Sequence, residues 1–430
     1  MLRKIRIAAA AFFFVLTTLL FLDFTGTLHA WFGWMAKIQF LPALLALNVG
    51  VVAFLVILTL LFGRVYCSVI CPLGVMQDIV SWASGKRRKH RNRFAYSPAL
   101  TWLRRGMLVV FVAAMLAGVG SLLAPYSAYG RIASNLLAPV YAWGNNLLAY
   151  IAGRMDSYAF YSVDVWMKSL STLLVAVVTF AVLFVLAWRS GRTYCNTICP
   201  VGTVLGFLAR YSLFKPRFDT SKCNGCKLCA RNCKASCIDP AAHKIDYSRC
   251  VACMDCLENC RQGAITYTLR RRKPDPAPAP QRPAADAAKT PSDASRRRFL
   301  GLAGIVAYSA LRAQEKKVDG GLAVIVDKKI PNRATPVVPP GAQSLRLFNA
   351  HCTGCQLCVS VCPNQVLRPS GKLMTLMQPE MSFERGYCRP ECTKCAEVCP
   401  TGAIRLTDLA GKSSIQIGHA VWIAENCVVN

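Results

Sequence analysis

Sixteen of the chain's 22 cysteines fall into four tightly spaced ladders. The first three ladders read C-x2-C-x2-C-x3-C, and the fourth opens one residue wider. Thiolates at this spacing are typical of a cubane iron–sulfur cluster, because short turns bring several sulfurs to one group of iron atoms. In two-cluster ferredoxins the fourth cysteine of each ladder ligates the other cluster, and here the ladders come in two pairs. The pattern therefore predicts four 4Fe-4S clusters.

The exchange of fourth cysteines assigns a ligand set to each cluster. The first pair of ladders gives two sets: Cys223, Cys226, Cys229 and Cys260, and then Cys250, Cys253, Cys256 and Cys233. The second pair also gives two sets: Cys352, Cys355, Cys358 and Cys399, and then Cys388, Cys392, Cys395 and Cys362. Zinc sites usually show two separated C-x2-C knuckles and disulfide scaffolds are short chains, so both alternatives are disfavoured. Cys237, close after Cys233, could substitute as a ligand, but a spare buried thiol is favoured.

Four apolar runs predict membrane helices in a chain that is 54% hydrophobic and 17% charged. A helix of about 20 residues crosses the hydrocarbon core of a bilayer. The runs are Ile7–Leu22, Ile38–Phe62, Gly106–Leu123 and Ser169–Trp188. A fifth, shorter run spans Phe299–Leu311. The segment Ile132–Ile151, broken by Pro139, is expected to lie along the outer membrane interface.

Basic residues indicate the orientation of this unit. Lysine and arginine are concentrated before the first run, between the second and third runs, and after the fourth. Such residues mark the cytoplasmic side of membrane helices, so both ends of the four-helix unit and the first ferredoxin module are expected in the cytoplasm. Topology and anionic lipid explain the net charge of +30, so no nucleic-acid partner is expected.

A second cysteine pattern follows the second and fourth runs. Gly63–Gly74 and Gly191–Gly202 share the pattern G-R-x-Y-C-x-x-I-C-P-x-G, 128 residues apart. Two helical hairpins would bring four cysteines near one another as an additional metal site or as a redox-active dithiol pair. Structural or palmitoylated cysteine is the alternative. The four residues are Cys67, Cys71, Cys195 and Cys199.

The double C-x3-C-P unit followed by two ladders resembles the NapH family over residues 1–269. That family comprises membrane subunits of the quinol dehydrogenase module that serves periplasmic nitrate reductase, and NosR-type and MauN-type proteins are among its relatives. From Pro339 onward the chain resembles NapG, the exported ferredoxin partner of NapH. This second resemblance rests on Pro339–Ala342, Phe348, the last two ladders and Ile415–Gly418.

The resemblance implies a NapH–NapG fusion that has two outer ladders where NapG has four. Cys427 lies where that family opens another ladder, so either the chain is expected to end early or Cys427 is a relic. A Pro/Ala-rich linker joins the two parts, and Ser295–Leu300 after it fits the twin-arginine export pattern S/T-R-R-x-F-L. An ordinary basic stop before a fifth helix would give the same topology, whereas an interfacial helix would leave the C-terminus inside.

The expected fold class is membrane α-helical, with a four-helix unit and a short fifth helix, plus two α+β bacterial-type ferredoxin modules of two 4Fe-4S clusters each. Five domains are expected: 1–212 as the membrane unit, 213–270 as a cytoplasmic ferredoxin module, 271–295 as a linker, 296–313 as a twin-arginine-like signal or fifth helix, and 314–430 as a periplasmic NapG-like module. The chain shows no haem-attachment, Rossmann or P-loop pattern, so one-electron transfer is the chemistry that remains.

By resemblance, the protein is expected to be a multi-pass protein of the bacterial inner membrane and a component of a quinol dehydrogenase rather than a stand-alone enzyme. It would take electrons from quinol in the quinone pool and pass them to a periplasmic reductase or carrier, of nitrate or nitrite type. The alternative is a NosR-like accessory factor that reduces or metallates another metalloenzyme.

One physical gap follows from this topology. Clusters on opposite sides of a hydrocarbon core of about 30 Å cannot exchange electrons directly. Either quinone bridges the modules, or the C-x3-C-P cysteines hold an extra centre, or one module is off the route. Asp23, at the outer end of the first helix, could accept a proton from quinol, but a solvated carboxylate at a helix end is favoured. An aromatic belt at the outer interface is expected from Trp31, Trp34, Tyr126, Tyr129, Tyr141 and Trp143.

Overall fold

The computed structural model describes residues 1–87, 94–117, 122–165, 167–269, 335–372, 375–384 and 386–417. The linker, the twin-arginine-like segment, the expected fifth helix and Cys427 lie outside these residues. The described residues form a helical unit that ends near residue 212 and two small α+β modules, at residues 213–269 and 335–417.

The helical unit consists of helices of very different lengths. They are α1 (Leu2–Leu22), α2 (Thr27–Phe32), α3 (Trp34–Lys37), α4 (Phe40–Leu45), α5 (Val49–Phe62), α6 (Val65–Val69), α7 (Pro72–Arg87), α8 (Thr101–Leu116), α9 (Pro125–Ile132), α10 (Ala138–Arg154), α11 (Leu170–Ser190), α12 (Thr193–Thr197) and α13 (Pro200–Ala209). Among the described helices, α1 and α11 are long and apolar enough to cross a membrane, each with 21 residues.

The second apolar run forms two helices instead of the single one expected. α4 ends at Leu45, and Leu47 has a positive φ of 53° that no helix continues through. Asn48 then caps α5, since its side chain accepts a hydrogen bond from Val51 N at 3.2 Å. The third run forms the 16-residue α8, so the four-helix membrane unit stays a prediction beyond α1 and α11.

The segment Ile132–Ile151 is helical, and the break expected at Pro139 is absent. α9, a π-helical turn at Ala133–Leu137 and α10 follow one another without interruption. The wider π-helical turn directly precedes Pro139, whose ring and missing N–H would disturb a regular α-helix. Every residue of α9 is buried and none of α10 is, so the stretch passes from the core to the surface.

Each α+β module consists of short antiparallel strand pairs around the cysteine ladders. In the first module, β1 (Phe214–Phe218) pairs with β4 (Ile265–Leu269), and β2 (Ile238–Asp239) pairs with β3 (Lys244–Ile245). Its helices are α14 (Leu228–Arg231) and α15 (Asp255–Asn259). In the second module, β5 (Leu367–Pro369) pairs with β6 (Pro379–Met381). Its helices are α16 (Leu345–His351), α17 (Leu357–Ser360), α18 (Lys394–Glu397) and α19 (Leu409–Ser414).

The two modules contact opposite ends of α1. Near the first residue of this helix, Arg3 Nε lies 2.8 Å from Asp255 Oδ1, and Arg3 also pairs with Glu258. Just beyond the last residue, Lys394 Nζ donates a hydrogen bond to Thr25 O at 3.2 Å. A 21-residue helix is about 30 Å long, so the first and second modules are held about a bilayer thickness apart along it.

The two modules differ in how their apolar residues pack with the helical unit. Phe21 and Tyr126 of the helical unit pack in one cluster with Leu357 and Val359 of the second module. In the first module, Ile238 and Ile245 belong to a separate small cluster. The second module is therefore packed into the helical unit, whereas the first has a core of its own and is held to the unit by polar contacts as well.

Candidate functional site

The ladder cysteines of the first module gather in two groups that mix the two ladders. One group lines a surface concavity and consists of Cys223, Cys226, Cys229 and Cys260. The other lines a second concavity and consists of Cys233, Cys250, Cys253 and Cys256. The fourth cysteine of each ladder thus lies with the other ladder, which is the arrangement of a two-cluster ferredoxin.

The ladders of the second module gather in the same crossed way. Electrostatic contacts join the first group, Cys352, Cys355, Cys358 and Cys399. They also join the second group, Cys388, Cys392, Cys395 and Cys362. Cys355 and Cys358 are buried, so the first of these groups faces the interior. The chain thus contains four groups of four thiols at the positions expected from the ladders.

The surroundings of these thiols fit iron–sulfur clusters. The residue after the second cysteine has a left-handed conformation in three ladders, with φ of 59° at Lys227, 63° at Met254 and 65° at Gln356. This turn directs backbone N–H groups at the sulfurs, as for Leu357 N–H on Cys355. All described cysteines are free thiols. A cluster bound to each group would supply one-electron transfer, at a potential that such hydrogen bonds and solvent exposure set.

Cys237 lies inside one of these sites. Its side chain is buried, its Sγ is 3.6 Å from Cys233 Sγ, and it lines the same concavity as Cys250 and Cys253. The interpretation as a spare buried thiol stays a prediction. Its side chain contacts both Cys233 and Cys250, so it lies next to two of the ladder thiols of that group.

The two C-x3-C-P copies are held together by exchanged arginines. Arg64 of the first copy donates a hydrogen bond to Cys195 O of the second at 3.1 Å. Arg192 of the second copy donates to Cys67 O of the first at 2.6 Å. Both arginines are completely buried, with 0% of the surface of each exposed. These reciprocal contacts relate the two copies by an approximate two-fold symmetry.

The glycine that ends each motif makes room for the crossing. A Cβ atom at Gly74 would lie closer than 3.0 Å to both Cys67 O and the guanidinium of Arg192. A Cβ atom at Gly202 would lie equally close to Cys195 O and the guanidinium of Arg64. Any other residue at either position would therefore displace the arginine of the opposite copy.

This packing brings the four motif cysteines together. Cys199 has the other three thiols as electrostatic neighbours, and Cys71 has Cys67 and Cys195. The backbone N–H of Gly202 donates to Cys199 Sγ at 3.4 Å. Gln77 Nε2 donates to Cys195 Sγ at 3.4 Å. The four sulfurs thus form one polar group inside the apolar unit.

The two copies differ at the position where the first ferredoxin module docks. Arg192 makes a two-pronged ion pair with Asp78, at 2.9 Å from Nε to Oδ1 and 2.8 Å from Nη2 to Oδ2. The equivalent position of the second copy is Gly206, and Arg64 instead donates to Ser248 O at 3.2 Å. A Cβ atom at Gly206 would lie closer than 3.0 Å to that carbonyl. A ferredoxin carbonyl thus takes the place of the missing carboxylate.

A second segment of the same module also binds the motif. Arg192 N donates to Lys234 O at 2.9 Å, and Asn196 Nδ2 donates to Ala235 O at 3.3 Å. Burial acts to lower the pKa of Lys234, but the carboxylates of Asp78 and Asp255 outweigh it and raise this pKa. Since Lys234 follows Cys233 and Ser248 precedes Cys250, the motif contacts both segments that carry the second cysteine group.

α9 connects the motif with the second module. Tyr194 of the motif donates from its hydroxyl to Leu123 O at 3.4 Å, just before α9 begins. A Cβ atom at Gly130 in α9 would lie closer than 3.0 Å to Cys355 O, so the backbones of helix and ladder are in contact there. Beyond α9, Asn135 Nδ2 donates to Gln356 Oε1 at 2.9 Å.

Asp23 is buried, so its expected role as a solvated carboxylate is wrong. The loop after α1 folds back over it, and its oxygens accept hydrogen bonds from the N–H groups of Thr25 at 3.0 Å and Leu28 at 2.8 Å. His29 Nδ1 lies 3.1 Å away. Burial acts to raise the pKa of Asp23, but hydrogen bonds from His29 and Thr25 hold it well below its ordinary value.

Two of the six expected belt residues lie in the core. Tyr126 and Tyr129 are only 1% exposed and pack against Phe21. The expectation is wrong for these tyrosines because α9 runs through the core instead of along the interface. The other four residues are solvent-facing or partly so: Trp31, Trp34, Tyr141 and Trp143.

The residues that hold the motif together were not predicted from the sequence. Arg64 and Arg192 stand inside the repeated pattern, so the repeated G-R pair was a readable signal for a shared role. Asp78 and Gly206 lie beyond the pattern, where the two copies no longer match. No sequence signal connects Gly206 with Ser248, because the contact depends on how the first module folds back.

Comparisons with known proteins match both cysteine systems. A model described as a 4Fe-4S binding domain matches residues 44–90 and 172–221, and a model described as a 4Fe-4S dicluster domain matches residues 351–403. The first two ranges contain the C-x3-C-P motifs, and the third contains the last two ladders. No solved structure matches the chain significantly.

Similar proteins are ferredoxin-type. The chain is 29% identical over 195 residues to ferredoxin-type protein NapH of Escherichia coli K12, which covers 45% of this chain and 55% of NapH. It is 28% identical over 172 residues to the methylamine utilization ferredoxin-type protein MauN of Paracoccus denitrificans, which covers 40% of this chain and 48% of MauN. The chain thus spans about half the length of these two relatives.

An uncharacterized protein of Methanocaldococcus jannaschii is 25% identical over 214 residues, which cover 50% of this chain and 68% of that protein. The matches to domain models and to relatives agree with the crossed groups of ladder thiols in the structure. The chain thus contains 4Fe-4S binding domains and is similar to the ferredoxin-type proteins NapH and MauN.

Proposed function

We propose that the protein carries electrons across a membrane, from quinol to a periplasmic reductase or carrier. The observation that carries this proposal is the contact of the two ferredoxin modules with opposite ends of α1. Arg3 binds Asp255 at one end, and Thr25 binds Lys394 at the other. A module on each side of the hydrocarbon core is what a transmembrane electron carrier needs.

The proposed orientation follows from charge. Arg3, Lys4 and Arg6 lie at the end of α1 that contacts the first module, and basic residues mark the cytoplasmic side. The first module is then cytoplasmic and the second periplasmic, in an inner membrane that α1 and α11 cross. The remaining helices of the unit would complete the multi-pass arrangement around them.

The chain's own residues would position four clusters. The four crossed groups of ladder thiols supply sixteen ligands, and the buried pair Cys355 and Cys358 turns one group toward the helical unit. The contact of α9 with Cys355 would hold that group against the helical unit, on the path from the first module to the periplasmic side. By resemblance, quinol is the electron donor and a nitrate- or nitrite-type reductase the acceptor.

Anaerobic EPR spectroscopy on the full-length protein tests the proposal. The protein is mixed with a menaquinol analogue, with the matching quinone as control and with dithionite to define full reduction. Quinol is expected to produce 4Fe-4S signals that the quinone does not. Clusters that dithionite reduces and quinol leaves oxidised would contradict a quinol-dependent role and favour an accessory role in reducing or metallating another metalloenzyme.

A further inference from the structure

The four C-x3-C-P cysteines form a sulfur group that the ladders do not account for. Each is only 5–6% exposed, and each copy supplies two of them. Burial argues against the palmitoylated alternative, because a thiol enclosed in the core cannot carry an acyl chain without unpacking its neighbours. The inward orientation of four thiols instead points to a ligand shared by both copies.

The charge around these sulfurs is unbalanced without an anionic group. The guanidinium of Arg64 lies 3.7 Å from Cys67 Sγ, and that of Arg192 lies 4.0 Å from Cys195 Sγ. Asp78 balances Arg192, but within the described ranges Arg64 makes no ion pair. A buried unpaired charge is strongly destabilising. Thiolates that ligate a metal centre would supply the negative charge that neutral thiols lack.

We propose that Cys67, Cys71, Cys195 and Cys199 together ligate one iron–sulfur cluster, in addition to those of the ladders. Among the described residues, no three Cys, His, Asp or Glu side chains are close enough to share a single ion, and this includes the ladder groups. The motif cysteines share this property with the ladder cysteines, and a set of four thiols that is not arranged around a single ion fits a cluster of several irons better than one zinc or copper ion. The 4Fe-4S binding domain model supports this, since its two matched ranges contain these four cysteines and no ladder cysteine.

The position of the site gives the cluster a role as a relay, which rests on the proposed function. On one side the motif binds the segments beside Cys233 and Cys250. On the other side it reaches α9, which packs on Cys355. In each passage one electron reduces the site and the same electron leaves to the next oxidised centre, with no proton transferred and no bond formed. Electron transfer across the membrane is thereby divided into shorter steps between neighbouring centres.

Iron and acid-labile sulfide are measured per chain in the anaerobically purified full-length protein. The ladder groups account for about 16 irons. The wild type is expected to contain about two to four more, with matching sulfide, according to whether the cluster holds two or four irons. The double variant Cys71→Ser/Cys199→Ser is expected to lose that excess. The variant Val69→Ala is expected to keep it, and it controls for packing because Val69 is buried in α6, two residues before Cys71.

Two results would overturn the proposal: equal iron and sulfide in wild type and double variant, or zinc or copper at the site without sulfide. A double variant that misfolds would lose the ladder iron as well. In that case native mass spectrometry of the wild type decides, since a mass equal to the chain plus four clusters excludes a fifth. None of these measurements uses quinol, so a failure of the proposed function would show separately, in the EPR experiment.

Discussion

Arg64 and Arg192 each bind a backbone carbonyl of the opposite motif copy. These contacts therefore depend on the backbone path of that copy more than on the identity of a side chain. Each guanidinium reaches across the two-fold relation, and only Arg192 also has a carboxylate partner, Asp78. Asp78 in turn accepts from Arg6 at 3.1 Å. Removal of Arg192 would therefore leave the carboxylate of Asp78 without this ion pair, whereas among the described residues Arg64 has no carboxylate partner of this kind.

Replacing Arg192 is expected to be strongly destabilising. Arg192→Leu would remove a buried ion pair and leave Cys67 O without its donor, which costs about 3 kcal/mol. Arg189→Leu is the matched control, since Arg189 lies exposed on the preceding turn and its loss is expected to change stability by less than about 0.5 kcal/mol. The measurement is denaturant unfolding in detergent. Equal midpoints for the two variants would contradict the role given to Arg192.

Asp23 is expected to stabilise the loop after α1 in a defined pH range. Because its pKa is lowered on folding, the stabilisation is present above the ordinary carboxyl pKa and is lost only as pH falls through the lowered value. Asp23→Ala should therefore cost about 2 kcal/mol at pH 7, by the loss of hydrogen bonds to a charged group, and the same amount down to about pH 5.

The control for Asp23→Ala is Asp164→Ala, whose aspartate is exposed. The measurement is the unfolding free energy of each variant and the wild type across this pH range. A cost of Asp23→Ala that changed between pH 7 and pH 5 would show that this carboxyl group titrates in that range, with a pKa raised above its ordinary value, against the hydrogen bonding described.

Among the elements, composition predicted the long apolar helices better than their interruptions. α1 and α11 were anticipated to within a few residues at their C-terminal ends. The break near Leu47 was not, because Asn48 is a single polar residue in an apolar run and caps by local geometry. Pro139 had the opposite effect: it predicted a break, but the π-helical turn before it accommodates the ring.

Gly206 is expected to decide how the first module docks on α13. Gly206→Ala would place a methyl group against Ser248 O and the guanidinium of Arg104, and such overpacking costs about 1–3 kcal/mol. Gly106→Ala in α8 is the control, since a Cβ there meets nothing within 4 Å and should stabilise the helix by up to about 1 kcal/mol.

Hydrogen exchange locates the effect of this pair of variants. Faster exchange around Ser248 and Cys250 is expected in Gly206→Ala and not in Gly106→Ala. Unchanged exchange in both variants would mean that the carbonyl of Ser248 is not held by the contact with α13.

At the scale of the whole molecule, the sequence anticipated the paired ladders, because ligand spacing is a local property. The placement of the two modules on opposite sides of a membrane stays a prediction. The sequence could not show that the second module shares its core with the helical unit, since that packing depends on Leu357 and Val359, which look like ordinary apolar residues. Nor could it place Tyr126 and Tyr129, whose burial depends on the path of α9.

The two faces can be distinguished by lysine labelling. Lys222 of the first module and Lys372 of the second are both exposed. A membrane-impermeant amine reagent added to intact bacterial spheroplasts is expected to label Lys372 and not Lys222, and both after permeabilisation, as read by peptide mass spectrometry. A soluble cytoplasmic protein that stays unlabelled in intact spheroplasts is the control for leakage. Labelling of both lysines in intact spheroplasts would place the modules on one side and contradict the proposed crossing.

The exchanged arginines have a consequence for how such a unit can be divided. An interface related by a two-fold axis is self-complementary, because each half makes the same contacts with the other. A hairpin with one C-x3-C-P copy would therefore present an arginine without its acceptor and a carbonyl without its donor, and it is suited to pair with a second identical hairpin. Within this chain the two hairpins are joined covalently, and their sequences differ at a position of the interface. Asp78 on one side and Gly206 on the other turn a symmetric pair into one with a single docking face.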